Sequence, residues 1–284
     1  MKKTIVALMA LSGSVFAFDD TIWNFESSLA SEQGEGLHSA KSPSYGTWVE
    51  GTEGSYTWTT GTPTYEETGV LAGATFGEYK LTEALGQALV FSNGSTVKYG
   101  DSYWAYDTDS KIGMGQNFSN SYTLMAYVKF DDASKTNTIF ATGDANKGLA
   151  FGLRDGNLNL MAKGLSDHTV SYTLSSNTWY NIAVSYDASI GTAVFYVNGD
   201  VAGTIENLKT AAFDAPGGEK SGFGSKRVDA REELFSGQLA QFQILDGALT
   251  QSQILQAAHL VPEPTTATLS LLALAGLAAR RRRK

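Results

Sequence analysis

Residues 177–200, NTWYNIAVSYDASIGTAVFYVNGD, decide the fold of this chain. Apolar or aromatic side chains alternate with polar or small ones through the first half, which places four of them on one face of a predicted strand: Tyr180, Ile182, Val184 and Tyr186. A second alternating run follows Gly191. Asn198-Gly199 then predicts a tight hairpin turn, because both residue types tolerate positive φ. We therefore predict three consecutive antiparallel strands, at about residues 179–186, 192–198 and 201–205.

Further apolar rows with the same spacing of two occur on both sides of this stretch: Leu124, Ala126, Val128 and Phe130; Leu149, Phe151 and Leu153; Leu158 and Leu160; and Ala240, Phe242 and Ile244. Rows of this kind need a facing row to bury them, and two sheets packed about 10 Å apart provide one. The sequence therefore predicts an all-β, two-sheet antiparallel sandwich. Thr250-Gln-Ser-Gln253 matches a capping box and predicts a short helix that closes the domain.

The order of these segments resembles a known family. YTLMAYVK at 122–129, TIFATG at 138–143, the stretch quoted above and GQLAQFQI at 237–244 follow one another as in the laminin-G-like, concanavalin A-like jellyroll domains. The resemblance covers about residues 120–258, and the sequence around Trp23 is similar to the opening strand of such domains. It implies a jellyroll fold, which hosts lectins and glucanases among other functions.

Composition and charge narrow the class of partner. Without the basic residues at the two ends, 14 basic residues face 29 acidic ones, a net charge of −15 for the body of the chain. A body this acidic repels nucleic acid and anionic lipid, so neither is an expected partner. Cysteine is absent, which excludes disulfides, thiolate nucleophiles and thiolate metal sites.

The N-terminus has the features of a secretory signal. Residues 1–17 combine Lys2 and Lys3, an apolar centre and small residues at a cleavage site that ends at Ala17. The alternative is a buried first strand, but the three features together favour a signal peptide. We predict an exported domain over residues 18–260.

The C-terminal residues 261–284 carry a second targeting pattern. Pro262-Glu263-Pro264 is followed by an apolar, helix-prone run at 267–279 and by a basic end. This order closely resembles the PEP-CTERM sorting signal of Gram-negative bacteria. The resemblance implies recognition by an exosortase-type membrane enzyme, transient insertion of the tail in the inner membrane, and delivery to the cell surface, outer membrane or extracellular matrix. The alternative is a permanent weak anchor, since the run is shorter than the roughly 20 residues of a free-standing span.

Aromatic and acidic residues are concentrated in the loop at 99–109, and its candidate ligand-binding residues are Tyr103, Trp104, Tyr106 and Asp107. Flat rings beside carboxylates suit sugars, because CH groups stack on the ring and hydroxyls bond to the acids. The alternative is that these aromatics are half-buried strand residues of the sandwich.

Calcium is a possible ligand, since many laminin-G-like domains bind it. Asp144 and Asn146 lie in a loop after a predicted strand and could supply oxygen ligands. Gln241 and Asn198 occupy positions that are often acidic in the family, and the full calcium-loop spacing is absent. Turn residues without a metal are the alternative, so no cofactor is predicted.

No catalytic motif is evident. The glucanase relatives use an E-x-D-x-x-E strand that this chain lacks, and the adjacent pairs Glu66-Glu67 and Glu232-Glu233 would point to opposite faces of a strand. We interpret these pairs as solvated charge. The sequence favours a non-catalytic protein that binds extracellular polysaccharide or host glycan. The alternatives are a structural surface or biofilm-matrix protein without a specific ligand, and a divergent glycoside hydrolase.

Overall fold

The computed structural model describes residues 21–25, 44–50, 55–92, 94–98, 121–142, 149–162, 168–208, 222–225 and 233–263. These residues form 19 strands and one short helix: β1 (Thr21–Trp23), β2 (Ser44–Glu50), β3 (Tyr56–Thr60), β4 (Tyr65–Glu67), β5 (Thr75–Phe76), β6 (Tyr79–Leu81), β7 (Gln87–Phe91), β8 (Ser95–Lys98), β9 (Tyr122–Phe130), β10 (Asn137–Thr142), β11 (Leu149–Arg154), β12 (Asn157–Ala162), β13 (His168–Val170), β14 (Trp179–Asp187), β15 (Thr192–Val197), β16 (Asp200–Ile205), β17 (Gly222–Phe223), β18 (Gly237–Asp246), α1 (Gln251–Ala257) and β19 (Leu260–Pro262).

The quoted stretch forms one half of the central sheet. This sheet has the order β16-β15-β14-β9-β18-β7-β4, and β1 also pairs with β18. The hairpin turn after β15 has φ of 53° at Asn198 and 85° at Gly199, the left-handed angles that its sequence predicts. The three predicted strands are confirmed to within two residues at each end.

A second sheet of eight strands packs against one face of the central sheet, with the order β13-β12-β11-β10-β17-β8-β2-β3. All pairs are antiparallel, and the buried core between the sheets is rich in phenylalanine. Phe140 of the second sheet meets Phe242 of the central sheet with 4.8 Å between ring centroids. The predicted all-β antiparallel sandwich is confirmed, because these alternate apolar rows bury one another.

One predicted row needs a correction. We placed Ala240 on the same face as Phe242 and Ile244, but a bulge between Leu239 and Gln241 inserts one residue in β18. Leu239 therefore packs in the sandwich core with Phe242, whereas Ala240 packs on the opposite face of the central sheet. An extra residue in one strand shifts the alternation beyond it, which a constant spacing of two cannot anticipate.

A third layer covers part of the other face of the central sheet. It consists of α1 and a small sheet with the order β19-β6-β5, and Phe76, Leu81 and Ile254 bury their side chains against the central sheet. The Tyr127 hydroxyl donates to the carbonyl oxygen of Ala258 at 2.5 Å and ties the two layers together. The predicted helix is confirmed, and the Gln253 side chain accepts from the backbone N–H of Thr250 as the capping box requires. The small sheet was not predicted.

Candidate functional site

Most of the residues proposed from sequence as site residues lie outside the described part of the chain. These are Tyr103, Trp104, Tyr106 and Asp107 of the aromatic loop, Asp144 and Asn146 of the calcium loop, Ala17 and Pro264. The sugar, calcium and signal-cleavage assignments therefore stay predictions. Within the ranges that are described, no three His, Asp or Glu side chains come close enough to hold a metal ion.

The acidic pairs have different environments. Glu66 and Glu67 are exposed in β4. The Glu66 carboxylate accepts a hydrogen bond from Gln238, and the Glu67 carboxylate accepts one from Gln87. Glu233 differs from our interpretation of solvated charge, because it forms a half-buried ion pair with Arg154 at 2.5 Å between Oε1 and Nη1. Glu233 is therefore a structural residue that links the loop before β18 to β11.

The outer face of the central sheet carries a row of polar side chains beside an indole ring. Strand register places Trp179 of β14 next to Lys129 of β9, and Lys129 next to Gln238 of β18. Gln238 Nε2 donates to Glu66 Oε2 of β4 at 2.5 Å, across the intervening strand β7. We call Trp179, Lys129, Gln238 and Glu66 the polar ledge.

The polar ledge lies at the rim of the third layer. One row further along the strands, Tyr127 is buried under that layer, while Trp179, Lys129 and Gln238 are only half-buried and Glu66 is exposed. Trp179 packs against the apolar cluster under the third layer, which includes Phe76, Tyr127 and Ile254 and which we call the covered cluster. The polar ledge therefore packs against apolar residues at Trp179, and all four of its side chains keep some exposure to solvent.

Charge and aromaticity meet within the ledge. The Lys129 ammonium lies 5.5 Å from the centroid of the Trp179 ring, a cation–π distance. An aromatic ring, a cation and an amide therefore lie on three adjacent strands, and a carboxylate on the edge strand β4 bonds to the amide. This combination offers a stacking surface together with donors and acceptors for hydroxyl groups.

The side-chain amide of Asn181 is buried one row away from the polar ledge. Asn181 follows Trp179 on the same face of β14, its side chain is fully buried, and neither Oδ1 nor Nδ2 has a hydrogen-bond partner among the described residues. Gln238 Oε1 is likewise buried without a partner there. Leaving such groups unsatisfied costs about 1–3 kcal/mol each, so a fold rarely keeps them without a functional or hydration role.

Sequence reasoning missed the ledge. Its members come from four strands that are far apart in the chain, and only the register brings them together. One local signal was available in β14. Asn181 is a polar residue on the strand face that also carries Ala183, and it interrupts the apolar and small residues of that strand.

The C-terminal motif is described through Glu263. Pro262 lies opposite Tyr79 in the small sheet, and the backbone N–H of Glu263 donates to the carbonyl oxygen of Glu78 at 3.2 Å. The Tyr79 hydroxyl in turn donates to Asp200 Oδ1 at 2.9 Å, and this bond raises the pKa of Tyr79. The backbone at Pro262 is extended and is paired in a sheet. Within the described residues, no helix has the length and hydropathy needed to cross a membrane.

Residues 100–255 match the family model described as the concanavalin A-like lectin/glucanases superfamily. The chain belongs to this superfamily. The match spans more than half of the sequence and includes the strands that carry most of the polar ledge. No curated protein matches the sequence significantly.

Solved structures with a similar fold include sugar-binding domains. Domain 4 of a GH43 extracellular arabinanase from Geobacillus stearothermophilus, solved in complex with arabinotriose, superposes with a TM-score of 0.57 at 18% identity, over 84% of this chain and 97% of that domain. A CBM40 domain of a Ruminococcus gnavus sialidase, bound to α2,3-sialyllactose, gives 0.44 at 11% identity over 50% of this chain and 90% of that one. A pentraxin from Limulus polyphemus gives 0.42 at 22% identity over 49% and 70%. The last two scores are too low for more than a partial similarity.

Proposed function

We propose that this protein is an exported, surface-sorted and non-catalytic carbohydrate-binding protein that holds its ligand on the polar ledge. The observation that carries this proposal is the half-exposed Trp179 ring in one row with Lys129 and Gln238 on a concanavalin A-like sheet, with Glu66 bonded to Gln238. The arabinanase domain of the same fold, which was solved with arabinotriose, supports carbohydrate as the ligand class.

The chemistry of the ledge favours a neutral sugar over an acidic one. The polar ledge carries one cation, Lys129, and one carboxylate, Glu66, so its formal charge is zero, and the body of the chain carries a net −15 that repels polyanions. Ring CH groups of a sugar would stack on Trp179 in place of the Lys129 ammonium, and hydroxyls would bond to that ammonium and to the exposed Glu66 carboxylate. A neutral extracellular polysaccharide or a neutral host glycan fits these groups.

Glycan arrays with neutral and acidic polysaccharides test this assignment. Glu66→Ala removes an acceptor of the ledge, and the neighbouring Glu67→Ala is the matched control, because it removes an exposed carboxylate that bonds to Gln87 instead. We expect about a tenfold loss of affinity for Glu66→Ala, equivalent to one lost hydrogen bond of a charged group, and little change for Glu67→Ala. Equal effects of the two variants would contradict a ledge site. Silence of the unmodified protein across all glycan classes would contradict binding altogether and favour the structural matrix role.

The predicted aromatic loop is a competing location for the same ligand. Trp104→Ala removes its largest ring, and Trp179→Phe reduces the ledge ring while keeping an aromatic group against the covered cluster. Loss of binding in Trp104→Ala alone would move the site to the loop. Loss in Trp179→Phe alone would leave it on the ledge.

Export and sorting are the other half of the proposal. They rest on the signal-like residues 1–17 and on the tail at 261–284, with an exosortase-type enzyme of a Gram-negative-type bacterium as the partner. Intact-mass measurement on protein recovered from fractionated cells tests it. We expect a mature chain that begins near Phe18 and lacks the tail beyond the Pro-Glu-Pro motif. Full-length protein in the cytosol would contradict it.

A further inference from the structure

The Pro-Glu-Pro motif begins inside the folded domain. Leu260 is 3% exposed and packs in the covered cluster with α1, and the next residues pair with β6 in the register Val261–Lys80 and Pro262–Tyr79. β19 is an edge strand of the small sheet. The motif is therefore not presented on a free linker, because its first residue, Pro262, belongs to a three-stranded sheet.

The only backbone N–H of the motif, that of Glu263, already donates a hydrogen bond within the domain. The carbonyl oxygen of His259 accepts from Thr82 N at 2.8 Å, and Glu263 N donates to Glu78 at 3.2 Å, so alternate residues of the strand face β6. Pro262 falls between these positions, where the missing N–H would point away from the sheet. Since Pro262 and Pro264 have no N–H, the amide of Glu263 is the motif's one backbone donor, and the domain already uses it.

The carboxylate of the motif is engaged as well. Glu263 Oε1 lies 2.9 Å from Lys80 Nζ, with the two side chains 47% and 38% exposed. The same ammonium donates to the Thr75 hydroxyl of β5, which fixes the lysine side chain on the small sheet. An enzyme could recognise Glu263 through its backbone N–H and its carboxylate. Both groups are already bound within the domain.

We propose that β19 is a latch that regulates access to the sorting motif, an inference that rests on the proposed sorting function. A processing enzyme must capture the undocked form, so its apparent affinity falls by the fraction of molecules in which residues 262–263 are released. Release breaks one backbone bond and one exposed ion pair, and Leu260 stays buried. The latch therefore delays cleavage without preventing it.

Hydrogen exchange on the full-length protein in mild detergent tests the latch directly. Glu263 is flanked by Pro262 and Pro264, so its amide is the only one within the motif that exchanges. We expect the Glu263 amide to exchange at least tenfold more slowly than in a synthetic peptide of the same residues. Lys80→Met, which keeps the apolar stem, should speed this exchange about two- to fivefold, the range expected for an exposed ion pair. Lys135→Met, which removes another exposed pair with Asp132 at 2.9 Å, is the matched control and should change nothing at Glu263.

Cleavage of the tail is followed in parallel by pulse-chase in the native host. Faster tail loss in Lys80→Met than in Lys135→Met supports the latch. Exchange of Glu263 at the peptide rate in the unmodified protein overturns it, and so does slow exchange with identical cleavage rates in both variants. If the tail stays intact in every variant, the sorting function fails, and the slow or fast exchange of Glu263 still decides whether the strand is docked.

Discussion

The buried hydroxyl of Tyr127 provides a sharp test of how the third layer is held. Tyr127→Phe removes the donor to the Ala258 carbonyl and keeps the ring, whose edge-to-face contact with Phe76 has 5.3 Å between centroids. The variant loses one buried hydrogen bond and leaves a buried carbonyl with a missing partner. We expect a loss of about 1–3 kcal/mol in the free energy of unfolding, which corresponds to a melting temperature roughly 3–9 °C lower for a domain of this size.

Urea denaturation followed by circular dichroism measures this loss. The control is Tyr172→Phe at an exposed position, which should change the free energy of unfolding by less than about 0.5 kcal/mol. If Tyr127→Phe lowers the free energy of unfolding as little as Tyr172→Phe does, the reasoning is refuted. The hydrogen bond between the layers would then make no net contribution to stability.

The same hydroxyl gives a dependence on pH. Burial raises the pKa of Tyr127 above its ordinary value of 10.0, so the neutral form is the one that the fold stabilises. Its contribution is complete below pH 10 and is lost as the pH rises above 10 towards the folded pKa. Stability should therefore fall more steeply with pH above 10 in the unmodified protein than in Tyr127→Phe. Parallel slopes would contradict this assignment.

Three further substitutions test other features by urea denaturation. Asn181→Leu replaces a buried amide whose two polar atoms lack partners among the described residues, so it should stabilise the fold by about 1–3 kcal/mol; a loss of stability would contradict the unsatisfied state. Gly191→Ala places a Cβ against a backbone carbonyl at a φ of 64° and should cost about 1–3 kcal/mol, more than Gly247→Ala, whose φ of 78° has open space around it. Arg154→Met removes the half-buried ion pair with Glu233 and should cost about 1.5–3 kcal/mol; a neutral result would support the interpretation of Glu233 as solvated charge.

The sequence was sufficient for the parts of the fold that depend on local chemistry. Asn198-Gly199 specifies its turn through two left-handed residues, and Leu149, Phe151 and Leu153 show their buried face by spacing alone. Those features need no knowledge of the partner strand. Hence the strands, the hairpins and the sandwich could be predicted.

The small sheet and the ledge could not be predicted for two physical reasons. β5 has two residues and β6 and β19 have three each, too few for alternation to be visible. The ledge joins Lys129 and Gln238 across 109 positions of sequence by a register that the β18 bulge shifts. Long-range register is set by the packing of the whole sheet, so no window of sequence contains it.

The position of β18 has a consequence for how the nascent chain matures. This strand, made of residues 237–246, lies between β9 and β7 and also carries β1, so it joins segments synthesised at the start, before the middle and at the middle of the chain. Until the ribosome has released these ten residues, the central sheet lacks the strand that connects its two halves. Completion of the central sheet therefore waits for residues 237–246, and the segments made before them stay unjoined until then.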